Sequence, residues 1–288
     1  MIEKKIIAGD GLELALRDYR IENPKGVFHI IHGASEHKNR YDEFCKFLAS
    51  SGYAAVISDT RGHGESINNS YPIGHVDSLD QIIGDMKIIR KYIDDEYPGV
   101  PVMLFGHSFG SMISRKLIQD YDDAYTALIL SGAPNYVGIV KLGLGISKLI
   151  TAFTGGSSFN KIITGLNKVG HDDSWLSYNE LNKQEYAKDP LCGFKYTNNG
   201  NITMFTAVDE IHNIDAYKFK NPDLRILFIS GIDDPITGGK NGLNDSIESL
   251  KKVGYSEIVN IVYPNMKHEI LNEDNRLDVY KDIIEFLS

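Results

Sequence analysis

Cysteine is nearly absent from the 288 residues, being confined to Cys45 and Cys192. The two lie far apart and show neither C-x-x-C spacing nor a disulfide framework, which excludes the small secreted scaffolds and thiolate metal knuckles. A reduced cytoplasmic chain is the expectation. Basic residues are also in short supply, 30 Lys and Arg against 39 Asp and Glu, for a net charge of −9. No Lys/Arg cluster breaks that balance, so nucleic acid is not an expected partner. There is no run of about 18 apolar residues to cross a membrane. Residues 1–5 begin with charge and lack the apolar core of a signal peptide.

Several chemical signatures are missing as well. His268-Glu269 has no partner histidine at helical spacing, so H-E-x-x-H zinc chemistry is not expected. No G-x-x-x-x-G-K-[ST] occurs, and no G-x-G-x-x-G opens a helix after a strand. Gly143-Leu144-Gly145 lacks that context. His171-Asp172-Asp173 reads as a solvated turn. The expectation is a chain with no cofactor and no metal.

What is present is an alternation of strands and helices. At 42% hydrophobic, the chain can fill one large α/β core. Residues 4–8 and 12–19 flank Gly9-Asp10-Gly11 as a hairpin. Apolar runs at 26–33, 53–58, 102–105, 126–130, 224–230 and 257–263 read as buried strands. Helical stripes at 41–48, 79–97, 111–118, 242–253 and 276–287 separate them. The pattern predicts an α/β fold: a mainly parallel central sheet with helices on both faces and the hairpin as an antiparallel edge. It breaks after Ala133-Pro134. Residues 135–214 carry helical patches, Ile146, Leu149, Ile150 and Phe153 in one and Ile162, Ile163, Leu166 and Val169 in another, without βα alternation. The expected division is a core of 1–134 and 215–288 with an inserted helical cap at 135–214.

The motif of most interest is Gly106-His107-Ser108-Phe109-Gly110, set between an apolar strand and a helical run. Strand, G-x-S-x-G, helix is the nucleophile elbow, whose tight turn lifts a serine hydroxyl above the sheet and needs glycine two residues to either side. A serine nucleophile also needs a base and an acid that orients it. Asp234 and His268 each follow their own strand, in the required order Ser, Asp, His. Asp233 is an immediate rival to Asp234. His107 is expected to point away from the site as a structural residue. The tetrahedral intermediate needs two N–H donors. The amide of Phe109 is one, and the amide of Ala34, in His32-Gly33-Ala34-Ser35-Glu36-His37, is the expected second.

With these residues in view, the chain resembles the monoacylglycerol lipase and bacterial lysophospholipase branch of the serine α/β-hydrolases, related to the S33 aminopeptidases. The likeness rests on residues 32–37 with Arg40-Tyr41, on Asp59-Thr60-Arg61-Gly62-His63-Gly64-Glu65-Ser66, on residues 106–111, on Gly231-Ile232-Asp233-Asp234-Pro235 and on Lys267-His268-Glu269-Ile270-Leu271-Asn272-Glu273. Trp175-Leu176-Ser177 and Asp189-Pro190-Leu191-Cys192-Gly193-Phe194 extend it into the insertion. The resemblance implies an α/β-hydrolase core with a helical cap, a triad of Ser108, Asp234 and His268, and an oxyanion pair at Ala34 and Phe109. Phe109 stands where methionine is more usual. Glu36 and Arg40 match residues that would brace the oxyanion loop.

The implied function is a cofactor-free serine esterase or lipase acting on single-acyl lipids, monoacylglycerols or lysophospholipids. Alternatives with the same triad are a general carboxylesterase or thioesterase, or an aminopeptidase, whose clamp for a free amine would fall to Asp172, Asp173, Glu180 or Glu185. A degenerate binding protein on the same fold is the non-enzyme reading. The apolar segment 137–153 fits either packing between cap and core or an acyl tunnel under the cap. At most it makes transient contact with a membrane surface.

Overall fold

The computed structural model describes residues 1–166 and 173–288. Eight strands form one sheet: β1 (Ile2–Ile7), β2 (Glu13–Tyr19), β3 (Val27–Ile31), β4 (Ala54–Ser58), β5 (Val102–His107), β6 (Ala127–Ser131), β7 (Arg225–Gly231) and β8 (Ile258–Tyr263). Their order across the sheet is β1-β2-β4-β3-β5-β6-β7-β8. The hairpin β1–β2 is antiparallel and joins β4 antiparallel, and every pairing from β4 to β8 is parallel. Strand order reverses at β3, since the chain steps out to β4 and then returns across β3 to β5. Such a switch point opens a crevice at the carboxyl ends of the two strands it separates. Gly33-Ala34 follows β3 and Ser108 follows β5, so the reversal sets the two loops side by side.

The parallel strands read as unbroken apolar runs because both of their faces are covered. Alternate residues of β3 enter different cores. Val27 and Ile31 pack with α2 (Leu79–Glu96) and α3 (Phe109–Tyr121), and Phe28 and Ile30 pack with α1 (Asp42–Ser50) and α9 (Arg276–Leu287). Helix α8 (Gly239–Val253) lies on the α2–α3 face through Leu250.

Between β6 and β7 the described residues hold helices and no strand of the sheet: α4 (Val140–Thr154), α5 (Lys161–Leu166), α6 (Glu180–Lys188) and α7 (Asn198–Glu210). Helix α4 seats Val140 and Leu144 in a small cluster with Ile163 and Phe205. Of the stripe Ile146, Leu149, Ile150 and Phe153 read from the sequence, Ile150 packs against that cluster and the other three turn outward. Leu149 is 64% exposed and Phe153 84%, with Ile146 also at the surface. α4 is apolar around most of its circumference, so periodicity marks a stripe without telling which side is covered. Val169, His171 and Asp172 lie outside the described residues. Among the described residues no helix is long and apolar enough to cross a membrane.

Two glycines show opposite constraints. A Cβ on Gly110 would stand 2.2 Å from the Ile31 carbonyl oxygen and 2.5 Å from that of His32, both backbone atoms that cannot yield without moving β3. A Cβ on Gly143, inside α4, would meet nothing within 4 Å. In urea melts, Gly110→Ala is expected to lose about 3 kcal/mol. Gly143→Ala is expected to gain about 0.5–1 kcal/mol from helix propensity. Equal and small effects at the two positions would contradict the packing described.

Candidate active site

Strand β5 ends at His107 and α3 begins at Phe109, so Ser108 alone makes the turn. Its φ of 51° and ψ of −119° fall in the left-handed half of backbone space, which costs a non-glycine residue on the order of 1–3 kcal/mol. The turn is tight enough that a Cβ on Gly106 would lie 2.4 Å from both the Gly110 carbonyl and the Ser114 hydroxyl. Ser108 occupies the N-cap position of α3, yet its side chain makes no capping hydrogen bond. A serine there would ordinarily bond the helix amides. Here Ser108 is half-buried at the carboxyl end of β5.

Asp234 sits in the turn after β7 and His268 in the loop after β8. His268 Nδ1 lies 2.9 Å from Asp234 Oδ2, and both side chains are buried. The other Asp234 oxygen accepts from the Ile236 amide at 2.8 Å, which fixes the carboxylate plane. Asp233 is at the surface, where its Oδ2 accepts from the Tyr178 hydroxyl at 3.1 Å. The structure thus brings Asp234, not its neighbour, to the imidazole. Gly132, the residue after β6, with φ of 53°, makes room for the pair, since a Cβ there would come within 3.0 Å of the His268 ring and 3.3 Å of the Asp234 carboxylate. Burial disfavours the His268 imidazolium, but the Asp234 carboxylate outweighs it, and the His268 pKa is raised above the ordinary histidine value. With Nδ1 committed to Asp234, Nε2 is the ring nitrogen that this pair leaves open.

His107 does not point away. Its ring centroid is 4.7 Å from that of His268. It lies on the same sheet face as Phe105, and the loop bearing His268, Ile270 and Leu271 folds over that face. Burial and the neighbouring His268 push His107 down to about 4, so its ring is neutral.

The loop after β3 is held from several sides. His32 Nε2 accepts from the Thr60 amide at 2.9 Å, which leaves Nδ1 to donate to the Gly33 carbonyl at 2.8 Å. Glu36 Oε1 accepts from the Gly33 amide at 2.6 Å and the Tyr41 hydroxyl at 2.8 Å. The Ser35 amide donates to the Tyr196 hydroxyl oxygen at 2.8 Å. Among the described residues, the turn's hydrogen bonds therefore engage Gly33 and Ser35 and pass over the amide of Ala34 between them. At Phe109, the first residue of α3, the amide has no preceding turn to bond.

Glu36 is anchored in turn by Arg40, whose Nη1 donates to Glu36 Oε2 at 2.8 Å. The same guanidinium grips Glu269 with both arms, Nη1 to Oε1 and Nη2 to Oε2, and reaches Asn182 Oδ1 at 2.8 Å. Burial alone would raise Glu36, but Arg40 holds it down at about 2. Arg40 joins the loop after β3 to the residue beside His268 and to α6. Nothing in the spacing of residues 36, 40, 182 and 269 forecasts this.

The inserted segment reaches the site through residues 174–182. Glu273 accepts from the Ser177 hydroxyl at 2.8 Å, from the amides of Tyr178 and Asn179 and, on the loop that bears His268, from the Lys267 amide at 2.9 Å. Glu269 donates its amide to the Leu176 carbonyl at 2.9 Å. Glu180 and Glu185 lie on the exposed side of α6, while Asn182 and Tyr186 face inward. Asp172 and the Asp173 side chain are outside the described residues.

One group has the composition of a metal site. His37, Asp189 and Cys192 bring one ligand atom each within 4.8 Å of one another. His37 Nδ1 accepts from the Asn39 amide, so Nε2 carries the ring proton and gives it to Asp189 at 2.9 Å. A cation at Nε2 would force that proton onto Nδ1, opposite a donor. Burial also pushes the Cys192 thiol up to about 12, far from the thiolate a metal requires. The donor set suits a brace between the loop after β3 and the insertion.

The family described as Hydrolase_4, serine aminopeptidase, S33, matches residues 22–275. A monoglyceride lipase homolog of monkeypox virus is 36% identical over 143 residues, covering 49% of this chain and 51% of the viral protein. The monoacylglycerol lipase of Mycolicibacterium smegmatis is 23% identical over 268 residues, covering 92% of this chain and 89% of the relative. The human monoglyceride lipase is 27% identical, over 65% of this chain and 59% of its own length. The chain thus spans about half to nine-tenths of these relatives. Among solved structures, a thermostable carboxyl esterase from Bacillus coagulans superposes with a TM-score of 0.88 at 23% identity, covering 99% of this chain and 97% of the other. The monoacylglycerol lipase of Paleococcus ferrophilus gives 0.75 at 23%, covering 96% and 98%. These likenesses show an α/β-hydrolase fold, and the family match shows that the chain belongs to the Hydrolase_4 (serine aminopeptidase, S33) family.

Proposed function

We propose that this chain is a serine carboxylic-ester hydrolase of single-acyl lipids, monoacylglycerols or lysophospholipids, working through an acyl-enzyme on Ser108. The observation that carries the reading is the buried 2.9 Å pair of His268 and Asp234 against Gly132, together with Ser108, which is held in a strained turn by its amide on the Ser131 carbonyl and makes no capping hydrogen bond with its side chain. Ser108 Oγ attacks the ester carbonyl as its proton passes to His268 Nε2. The amides of Ala34 and Phe109 take the oxyanion. His268 returns the proton to the departing alkoxide, and water repeats the sequence on the acyl-enzyme. Asp234 orients the imidazole and offsets its charge.

Residues 135–214 act as the cap over this centre. The substrate class rests on two supports. Relatives along most of the chain are named as monoacylglycerol lipases. The outer face of α4, α5 and the turn between them is apolar, with Leu142, Leu149, Phe153, Phe159 and Ile162 exposed and Lys141, Lys148 and Lys161 among them. Such a face suits brief contact with a lipid surface from which one acyl chain is drawn. The aminopeptidase reading lacks comparable support, since Glu180 and Glu185 face solvent. Two free thiols suit a cytoplasmic location.

A fluorophosphonate probe is expected to label the protein and to lose its target in Ser108→Ala. Absence of labelling in the folded wild type would falsify the hydrolase reading. In a panel of esters, long acyl chains are expected to outperform acetyl, and equal rates across the panel would overturn the lipid assignment. The pH profile tests the base. His268 must be neutral to accept a proton, so activity falls as pH drops through its raised pKa. The acid limb of kcat/KM is expected at higher pH than an unperturbed histidine would give. Asp234→Asn should move it down and reduce kcat by on the order of 10³–10⁴, whereas Asp233→Asn should leave both unchanged. A limb indifferent to Asp234 would remove that residue from the triad.

A further inference from the structure

Two aromatic rings pack on His268, and they come from different parts of the chain. One is His107 of the core. The other is Trp175 of the inserted segment, the single tryptophan of the sequence, with ring centroids 5.1 Å apart and planes inclined by 49°. Trp175 ends a short 3-10 turn, Asp173–Trp175. The residues around it are tied to the loop that bears His268. The Leu176 carbonyl accepts from the Glu269 amide, Ser177, Tyr178 and Asn179 all bond Glu273, and Lys267 Nζ donates to the Ser174 carbonyl. The indole therefore travels with the base.

We propose that Trp175 is a positioning residue for the base: its indole stabilises the imidazolium that His268 becomes when it holds the Ser108 proton, and shields that ring from water. The inference rests on the reading of Ser108 and His268 as nucleophile and base. An aromatic face attracts a cation far more than a neutral ring. Neutral His268 gains little from Trp175, and protonated His268 gains more. The contact is thus stronger in the transition state than in the ground state, the condition for an acceleration. Trp175 itself makes and breaks no bond. The proton leaves Ser108 Oγ as the Oγ–carbonyl carbon bond forms, rests on Nε2, and departs with the alkoxide. The charged and titratable groups facing His268 are Asp234 from the turn after β7, Glu269 from its own loop, Glu36 from the loop after β3, and His107 at the end of β5. The three carboxylates favour the cation, although Arg40 offsets Glu36 and Glu269, and His107 is neutral in the working range, so Trp175 adds to a stabilisation that Asp234 leads.

The test compares Trp175→Phe with Trp175→Leu. Both fill the space with apolar atoms and exclude water, and only phenylalanine keeps an aromatic face. With a short-chain p-nitrophenyl ester, the leucine variant is expected to have its acid limb lowered by about half a unit to one and a half units and kcat/KM lowered about threefold to thirtyfold. The phenylalanine variant should recover most of both. Leucine and phenylalanine variants with the same limb and the same rate would overturn the proposal. The emission of the lone tryptophan supplies a second readout. It is expected to titrate in the wild type at the pH of the acid limb and to lose that step in His268→Gln. An emission profile identical in the two proteins would overturn the contact. This fluorescence test stands apart from fluorophosphonate labelling, so failure of the hydrolase reading and failure of the Trp175 role give different results.

Discussion

The site depends on one guanidinium. Arg40 is almost fully enclosed, and an enclosed cation is costly unless it is paired with good geometry. It is paired twice, with Glu36 at 2.8 Å and with both oxygens of Glu269. Glu36 in turn holds the Gly33 amide, one residue before the proposed oxyanion donor, and Glu269 follows His268 directly. A planar fork that bonds two carboxylates fixes direction as well as distance. Through it, the loop that would receive the oxyanion and the loop that carries the base share one rigid reference. Neither loop is set by the sheet alone, because each extends several residues beyond its strand.

The inserted segment divides into two parts under the same logic. Residues 174–182 are fastened to the base loop by Glu273, by Glu269 and by Asn182 on Arg40. That part brings Trp175 against His268 and cannot move without moving the base. The outer part, α4 and α5, is seated through a few side chains around Leu144 and Ile163 and turns much of its apolar surface outward. Motion that admits a substrate falls more cheaply on the outer part, where fewer buried contacts and no buried charge are disturbed. On the proposed function, chemistry and access would fall to different stretches of the segment between β6 and β7.

Much of this could be read from the residues. The parallel strands were legible because burial on both faces leaves unbroken apolar runs, and the elbow because Gly106 and Gly110 flank Ser108 at the only spacing that permits it. Sequence spacing left Asp233 and Asp234 open, and only the fold shows one carboxylate at the imidazole and the other at the surface beside Tyr178. His107 was expected to point away, yet the base loop folds over the sheet face on which it stands, a long-range event that strand alternation cannot register. The α4 stripe was visible, but a helix apolar on most sides does not declare its seat. Glu36 and Arg40 stood out through their likeness to a bracing pair. Glu269, 229 residues from Arg40 in sequence, did not, because no local pattern encodes a contact of that range.

The central claim is that Arg40 holds the two loops in register for acyl transfer. Arg40→Lys tests it most directly, since lysine keeps the charge and loses the fork. Steady-state kinetics of this variant on a single-acyl ester, with a thermal melt to establish that it is folded, would decide. The account predicts a folded protein whose kcat falls about tenfold to a hundredfold, the scale expected for reacting groups misplaced by about an ångström, with KM little changed. A folded Arg40→Lys enzyme with the wild-type kcat would contradict it.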